Sequence, residues 1–101
     1  MAARILHIDE IVSDPEIRGG RPVLKGTGFR VSDVAINRYD NGYAPEEIAA
    51  LFGLEIAQVY AGLTYYHLNK ADIDAQIKRD DEEAERLLAD LERQGKLKRS
   101  E

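Results

Sequence analysis

The residues best suited to binding chemistry lie together in RGGRPVLKGTGFR, a segment with four glycines, four basic side chains and no acidic one. The basic residues are Arg18, Arg21, Lys25 and Arg30. Glycine allows a backbone to approach a ligand closely, and cationic side chains neutralise phosphate charge. The segment therefore predicts contacts between these four residues and a DNA backbone. The alternative is that they form ion pairs with acidic groups of a partner subunit or of the C-terminal helix.

Motifs of enzymatic chemistry do not match the chain. GTGFRV lacks the third glycine of a dinucleotide fingerprint, and the stretch from Gly20 to Gly26 does not fit a Walker loop. His7 and His67 have no partner at metal-ligand spacing, and the chain contains no cysteine. The carboxylates of DDEEAE belong to an expected solvated helix without a pocket that would perturb them. We expect no catalytic residue, no metal site and no cofactor.

The middle of the chain has the spacing of a helix-turn-helix. The pattern predicts a helix from Pro45 to Phe52 that ends at Gly53, followed by another helix from about Ile56 to Leu68. Such a turn needs a small residue on the first helix, a glycine in the turn and an apolar residue on the second helix. Ala49, Gly53 and Val59 meet these demands in that order.

If the second helix of this motif reads DNA, its outward residues near the N-terminus are the ones that meet the bases. Gln58 and Tyr60 are the candidate contacts there, and Gln58 suits base readout best. Glu46, Glu47 and Glu55 would also face the polyanion, so the helix needs the basic segment to supply the electrostatic attraction. The alternative is a protein-interaction domain that keeps the three-helix geometry and reads no DNA.

The residues before the helix-turn-helix predict short strands and a further helix. ARILHI is typical of a strand, and Arg21–Lys25 with Phe29–Val31 predict a hairpin whose bend contains glycine. Ser32 is the expected N-cap of a helix from Asp33 to about Asn41. The predicted fold is mainly helical, with a short N-terminal β-hairpin, a three-helix helix-turn-helix core and a long C-terminal helix.

The C-terminal third predicts one long helix from Lys70, since neither proline nor glycine interrupts it before Gly95. Its apolar residues recur at helical spacing, with an interruption at Asp80. This stripe comprises Ile73, Ile77, Ala84, Leu87 and Leu91. We assign residues 1–69 to the hairpin and helix-turn-helix core, and residues 70–101 to the long helix and a basic tail of the same single domain. The stripe and the unpaired edges of short strands favour a homodimer.

Composition narrows the class of protein further. The 101 residues carry a net charge of −5, which disfavours nonspecific coating of nucleic acid. The apolar stretches are shorter than the ~20 residues that span a bilayer, and MAARILHID lacks the apolar centre of a signal peptide. The absence of cysteine fits a reducing compartment. We therefore expect a cytoplasmic protein that makes no membrane contact.

Two segments, IVSDPEIRGGRPVLKGTGFRVSDVAI and GYAPEEIAALFGLEIAQVYAGLTYY, resemble the family catalogued as domain of unknown function 433. The resemblance covers roughly residues 5 to 77. The chain departs from the common pattern at Gly28, where arginine is usual, at Arg30, where proline is frequent, and at Ala44, where serine is usual. The matching positions are Asp14, Pro15, Ile17, Gly20, Pro22, Gly26, Thr27, Val31, Gly42, Glu46, Glu47, Ile48, Val59, Gly62, Leu63 and Tyr65.

This resemblance implies a helix-turn-helix fold with an N-terminal β segment. It also implies an antitoxin-like role, because many members resemble antitoxins that pair with a PIN-like ribonuclease toxin. Such nucleases hold a metal ion with clustered carboxylates. A basic group can enter this acidic site and neutralise its charge. The candidate toxin-binding residues are therefore Arg93, Lys96, Lys98 and Arg99, in and after the end of the long helix. The alternative is that these cations only stabilise and solubilise a frayed helix end.

The sequence thus predicts an antitoxin-like regulatory binding protein that neutralises a PIN-like ribonuclease toxin, with promoter DNA as a candidate second ligand. The alternative is a homodimeric protein-interaction module with a helix-turn-helix-like fold and no DNA binding. Either way, we expect the protein to act by binding macromolecules and not by catalysis.

Overall fold

The structure is a computed structural model that describes residue 3 and residues 8–96. The strand expected at residues 3–8 lies outside the described residues except at its two ends. The chain forms two compact units, Met1–Lys70 and Ala71–Glu101. The first unit contains short strands and the helix-turn-helix, and the second contains most of the long C-terminal helix.

The N-terminal sheet has two short antiparallel strands, β1 (Ile11–Val12) and β2 (Val23–Leu24), with Ile11 opposite Leu24. The predicted pairing of residues 21–25 with residues 29–31 is present in a reduced form, whereas the pairing of β2 with β1 was not predicted. Residues 29–31 form no strand, although a single bridge joins Val23 to Arg30 and the Leu24 N–H donates to the Phe29 carbonyl at 2.9 Å. The bend of the expected hairpin is present, but the chain turns into a helix directly after it.

The first helix, α1, spans Val31–Ala35 and begins two residues earlier than the sequence predicts. The predicted N-cap was wrong, because Ser32 lies buried inside the first turn and Arg30 occupies the cap position. A carboxylate oxygen of Asp33 accepts a hydrogen bond from the Arg30 N–H at 3.0 Å. This contact satisfies a backbone donor at the helix start, so the helix begins without a capping hydroxyl.

A wider helical turn, Ile36–Asp40, continues α1 with hydrogen bonds of the π type. The Asn41 N–H reaches back five residues to the Ile36 carbonyl at 3.0 Å. The Asn37 side chain donates to the Asp33 carbonyl at 2.8 Å. Such widened turns are rare and local. The segment ends at Gly42, whose φ of 75° is easily adopted only by glycine.

The helix-turn-helix prediction is confirmed in its boundaries and its turn. Helix α2 spans Pro45–Phe52 and helix α3 spans Ile56–Leu68. Gly53 has a φ of 65°, and its N–H donates to the Ala49 carbonyl. A left-handed glycine that ends a helix in this way reverses the chain without steric cost. Consequently only three residues separate the end of α2 from the start of α3.

The core of the first unit lies where β2, α1, α2 and α3 meet. Its buried side chains are Leu24, Val34, Ile48, Val59 and Leu63. Gly62 lets α3 approach closely, since a Cβ atom there would lie 3.2 Å from both the Leu24 and Val34 side chains. The fully buried members are aliphatic, as expected for a small core that tolerates few voids.

Helix α4 spans Lys70–Arg93 and confirms the prediction of a long C-terminal helix. On this helix Leu87 is 59% exposed. The Lys96 N–H donates to the Leu91 carbonyl at 2.9 Å, and Gly95 has a φ of 73°, so the helix ends in a glycine-based cap. Within the described residues, no helix has the length and apolarity needed to cross a membrane.

Candidate functional site

Two of the four cations predicted to bind DNA point into solvent. Arg18 adopts a left-handed φ of 51° within the short turn Arg18–Gly20, and its guanidinium donates to the Gly28 carbonyl at 3.4 Å. Lys25 is exposed, while its N–H donates to the Glu10 carbonyl at 2.7 Å. The Lys25 backbone is thus bonded to the segment next to β1, whereas the Arg18 carbonyl accepts from the Arg21 N–H within its own turn.

The other two cations take part in the fold of their own chain. Arg30 forms an ion pair with Asp33, with its Nε at 3.1 Å from one carboxylate oxygen and a terminal nitrogen at 3.0 Å from the other. The two side chains are 21% and 22% exposed. Arg21 donates to the Ser32 hydroxyl at 3.4 Å. The observed partner of Arg30 is thus Asp33 of α1, an acidic residue that the sequence analysis did not offer, and the DNA contact of these residues stays a prediction.

The candidate base contacts on α3 are held by neighbouring groups. The Gln58 amide oxygen accepts from the Glu55 N–H at 2.8 Å, and its NH₂ donates to the Lys25 carbonyl at 3.3 Å. Gln58 therefore caps α3 and fastens the glycine-containing loop to it. The Tyr60 hydroxyl donates to a carboxylate oxygen of Glu46 at 3.1 Å. That hydrogen bond, together with the negative charge of Glu46, raises the pKa of Tyr60.

Apolar side chains stand exposed at the junction of α2 and α3, and we call Leu51, Phe52, Ile56 and the adjoining Phe29 the corner patch. Leu51 is 58% exposed, Phe52 44% and Ile56 41%. The rings of Phe29 and Phe52 pack with their centroids 4.9 Å apart. The sequence analysis did not identify this surface. The signal was the adjacency of Leu51 and Phe52, since neighbours on a helix point about 100° apart.

An aromatic cluster lies at the other end of α3. The Tyr39 hydroxyl lies 2.5 Å from His67 Nε2, although 28 residues separate the two in sequence. The Tyr66 and His67 rings make an edge contact with centroids 5.1 Å apart, and the Arg38 guanidinium lies 5.5 Å from the Tyr39 centroid. His67 therefore packs within an aromatic group. No spacing rule in the sequence brings these residues together.

The described part of the predicted toxin-binding set is solvent-facing. Arg93 pairs with Asp90 one turn earlier, and their side chains are 75% and 51% exposed. Lys96 follows the glycine cap and is exposed. Lys98 and Arg99 lie outside the described residues. The end of α4 thus carries cations at the surface, as a binding role requires.

A family model described as "Protein of unknown function (DUF433)" matches residues 11–66. The chain belongs to this family. A solved structure of a DUF433 member protein from Anabaena variabilis ATCC 29413 is similar to this chain, with 27% sequence identity and a TM-score of 0.64. The alignment covers 69% of each chain. No curated protein matches the sequence. The family match begins at β1 and ends within α3, so it spans the core that positions the corner patch.

Proposed function

We propose that this DUF433 protein is an antitoxin-like regulatory binding protein that acts by binding another protein, with a PIN-like ribonuclease toxin as its partner. In this proposal the helix-turn-helix unit does not read DNA bases. One observation favours a protein partner over DNA: the outward surface of α2 and α3 is apolar and acidic. The absence of cysteine from the sequence supports a cytoplasmic location for the protein. The proposed function requires no cofactor.

A DNA-reading helix needs donors for base edges and cations for phosphates. Here the first two turns of α3 present Ile56 and Tyr60, and the neighbouring α2 carries Glu46 and Glu47. Gln58 already makes two hydrogen bonds within its own chain. Bringing these carboxylates against a duplex would cost electrostatic energy that no group on α3 offsets. Protein interfaces, by contrast, are enriched in aromatic residues and have few charged residues at their centre.

The end of α4 supplies the chemistry that suits a nuclease partner. Arg93 is strongly exposed, and Lys96 follows it after the helix cap. A metal-dependent ribonuclease concentrates carboxylates at its catalytic centre, and arginine binds carboxylates in a planar, two-pronged geometry. The inhibitory contact we propose is therefore between the cations at this end of the chain and the acidic centre of the toxin.

The test is ribonuclease inhibition by the purified full chain. A PIN-like ribonuclease from the same genome is assayed on RNA with increasing amounts of this protein, and we expect a stable complex and loss of cleavage. A chain truncated after Gln94 should keep its helical circular dichroism spectrum and lose inhibition. Unchanged inhibition by the truncated chain would remove the role of the tail. Absence of both complex and inhibition with the full chain would refute the proposal.

The choice of protein over DNA is tested separately. Binding to the DNA upstream of the gene is measured at several salt concentrations, with a scrambled duplex as the matched control. We expect at most weak binding that does not distinguish the two duplexes. Sequence-specific binding that weakens when Arg18 or Lys25 is replaced by alanine would overturn this part of the proposal and favour promoter recognition through the basic segment.

A further inference from the structure

The corner patch is an apolar surface with three exposed members on two adjacent helices. Leu51, Phe52 and Ile56 are between 41% and 58% exposed, and Phe29 extends the surface by packing on Phe52. Single exposed apolar residues are ordinary on a protein surface, whereas contiguous ones mark interaction sites. The buried core cluster of the first unit contains none of these three exposed side chains, although Phe29 packs against it.

The loop that carries Phe29 is ordered by several hydrogen bonds. The Thr27 hydroxyl donates to the Leu24 carbonyl at 2.8 Å, and the Phe29 N–H donates to the Thr27 hydroxyl at 3.0 Å. Gln58 binds the Lys25 carbonyl from α3 at 3.3 Å. The aromatic pair is thus held in place before any partner arrives. A preformed surface loses little conformational entropy on binding.

The two borders of the corner patch carry opposite charge. Next to Phe29, the Arg18 guanidinium donates to the Gly28 carbonyl and is exposed. On α2, Glu47 is exposed one helical turn before Leu51, and one of its two carboxylate oxygens accepts a hydrogen bond from the Ala44 N–H. A two-fold axis through the patch would bring the basic border of one copy to the acidic border of the other. An isologous interface requires this kind of self-complementary surface.

We propose that the corner patch is the surface through which two copies of this chain associate, with the two-fold axis near Leu51 and with Arg18 of each copy facing Glu47 of the other. An apolar centre this small belongs at the lower end of interface sizes, so the dimer forms at protein concentrations on the order of micromolar. The interface covers Ile56 in the first turn of α3. A dimer of this form would keep α3 out of a DNA groove, which agrees with the proposed function, in which α3 reads no DNA bases.

Sedimentation velocity over a concentration series tests this surface in the partner-free protein. We expect a monomer–dimer equilibrium, which Leu51→Asp weakens at least tenfold because it buries an unpaired charge at the centre of the interface. Leu68→Asp is the matched control: Leu68 is also on the helix-turn-helix unit and is 74% exposed, but it lies outside the patch. This control should leave the equilibrium unchanged. Equal weakening by both substitutions, or a protein that remains monomeric throughout the series, would overturn the proposal.

Substitutions that reverse the charge of Arg18 and Glu47 test how the two copies are oriented in the dimer. Arg18→Glu should weaken association several-fold, and adding Glu47→Lys to the same chain should restore it. Failure of the second change to restore binding, in a double variant whose circular dichroism matches the parent, would rule out the proposed pairing of borders.

Crosslinking gives an independent readout of position. Because the chain has no cysteine, Leu51→Cys and Leu68→Cys each introduce a single thiol. A short bismaleimide should join two copies through position 51 and not through position 68. Preferential crosslinking through position 68 would contradict the proposal. Since the toxin is absent from all of these measurements, a negative result leaves the proposed inhibition of a nuclease to be judged by its own assay.

Discussion

The inward and outward faces of α3 are built from similar residue types, but the first is buried and the second is exposed. The inward face contributes Val59, Gly62, Leu63 and Tyr66, all of them buried. The outward face contributes Ile56, which is 41% exposed, as well as the exposed residues Tyr60, Thr64 and Leu68. Apolar character by itself therefore does not separate the face that holds the fold together from the face that is open to a partner.

What separates the two faces is the closeness of backbone approach. On the inward side, Gly62 brings α3 against β2 and α1, so neighbouring side chains are enclosed by the Leu24 and Val34 side chains. On the outward side, α2 ends at Gly53 and leaves a corner at which Leu51 is 58% exposed and Ile56 41% exposed. Substitutions on the inward face should change the free energy of unfolding, and substitutions on the outward face should change association.

The largest expected effect is at Leu63. Leu63→Ala should lower the free energy of unfolding by about 2–5 kcal/mol, because it removes buried methyl groups and leaves a cavity in a small core. Leu68→Ala is the matched substitution on the same helix and should stay within about 0.5 kcal/mol of the parent, since Leu68 is 74% exposed. Urea denaturation followed by circular dichroism measures both. Similar losses at the two positions would show that the faces are not energetically distinct.

Overpacking provides the next test of the same contrast. Gly62→Val should cost about 1–3 kcal/mol, because the added atoms meet Leu24 and Val34 side chains already 3.2 Å from a Cβ at this position. Ala57→Val adds a similar group to the exposed face and should cost less than about 1 kcal/mol, through helix propensity alone. The comparison uses the midpoint and slope of urea denaturation. A larger loss from Ala57→Val would mean that the inward approach of α3 is looser than the structure indicates.

Local signals were enough to predict the helix-turn-helix, because each depends on neighbouring residues. Pro45 at a helix start and Gly53 at a helix end act through their own backbone geometry, so both helix boundaries followed from the sequence. The pairing of β1 with β2 joins residues about a dozen positions apart and was missed. The start of α1 was also misplaced, because the Asp33 carboxylate and not the Ser32 hydroxyl satisfies the helix end.

The candidate site was less predictable than the fold, because the exposure of a charged side chain depends on whether it pairs with another group of the folded chain. Arg18 and Arg30 are equivalent in the sequence pattern, yet Arg18 is exposed while Arg30 is paired with a carboxylate three residues away. The spacing of Arg30 and Asp33 indicates such a pair only after both are placed at a helix start. Exposure of the corner patch requires knowledge of where α2 turns. These facts depend on tertiary packing, and a local signal such as the adjacency of Leu51 and Phe52 does not show which side chain stays exposed.

The smallest predicted effect concerns Tyr60, at the edge of the outward face. Its pKa is raised above the ordinary value of 10.0, because ionisation would break the hydrogen bond to Glu46 and place two negative charges side by side. Glu46→Gln keeps an oxygen acceptor but removes the charge, so the pKa of Tyr60 should fall toward 10.0. An NMR titration of carbon-labelled tyrosine measures this change at concentrations where the protein is monomeric.

Glu47→Gln, one residue along, is the matched control. It should leave the pKa of Tyr60 unchanged, since the Glu47 carboxylate accepts from the Ala44 N–H instead. If both variants lowered the pKa of Tyr60 equally, the total negative charge of α2 would set that pKa, and not a fixed contact between Tyr60 and Glu46. The outward face of α3 would then be less ordered than its inward face.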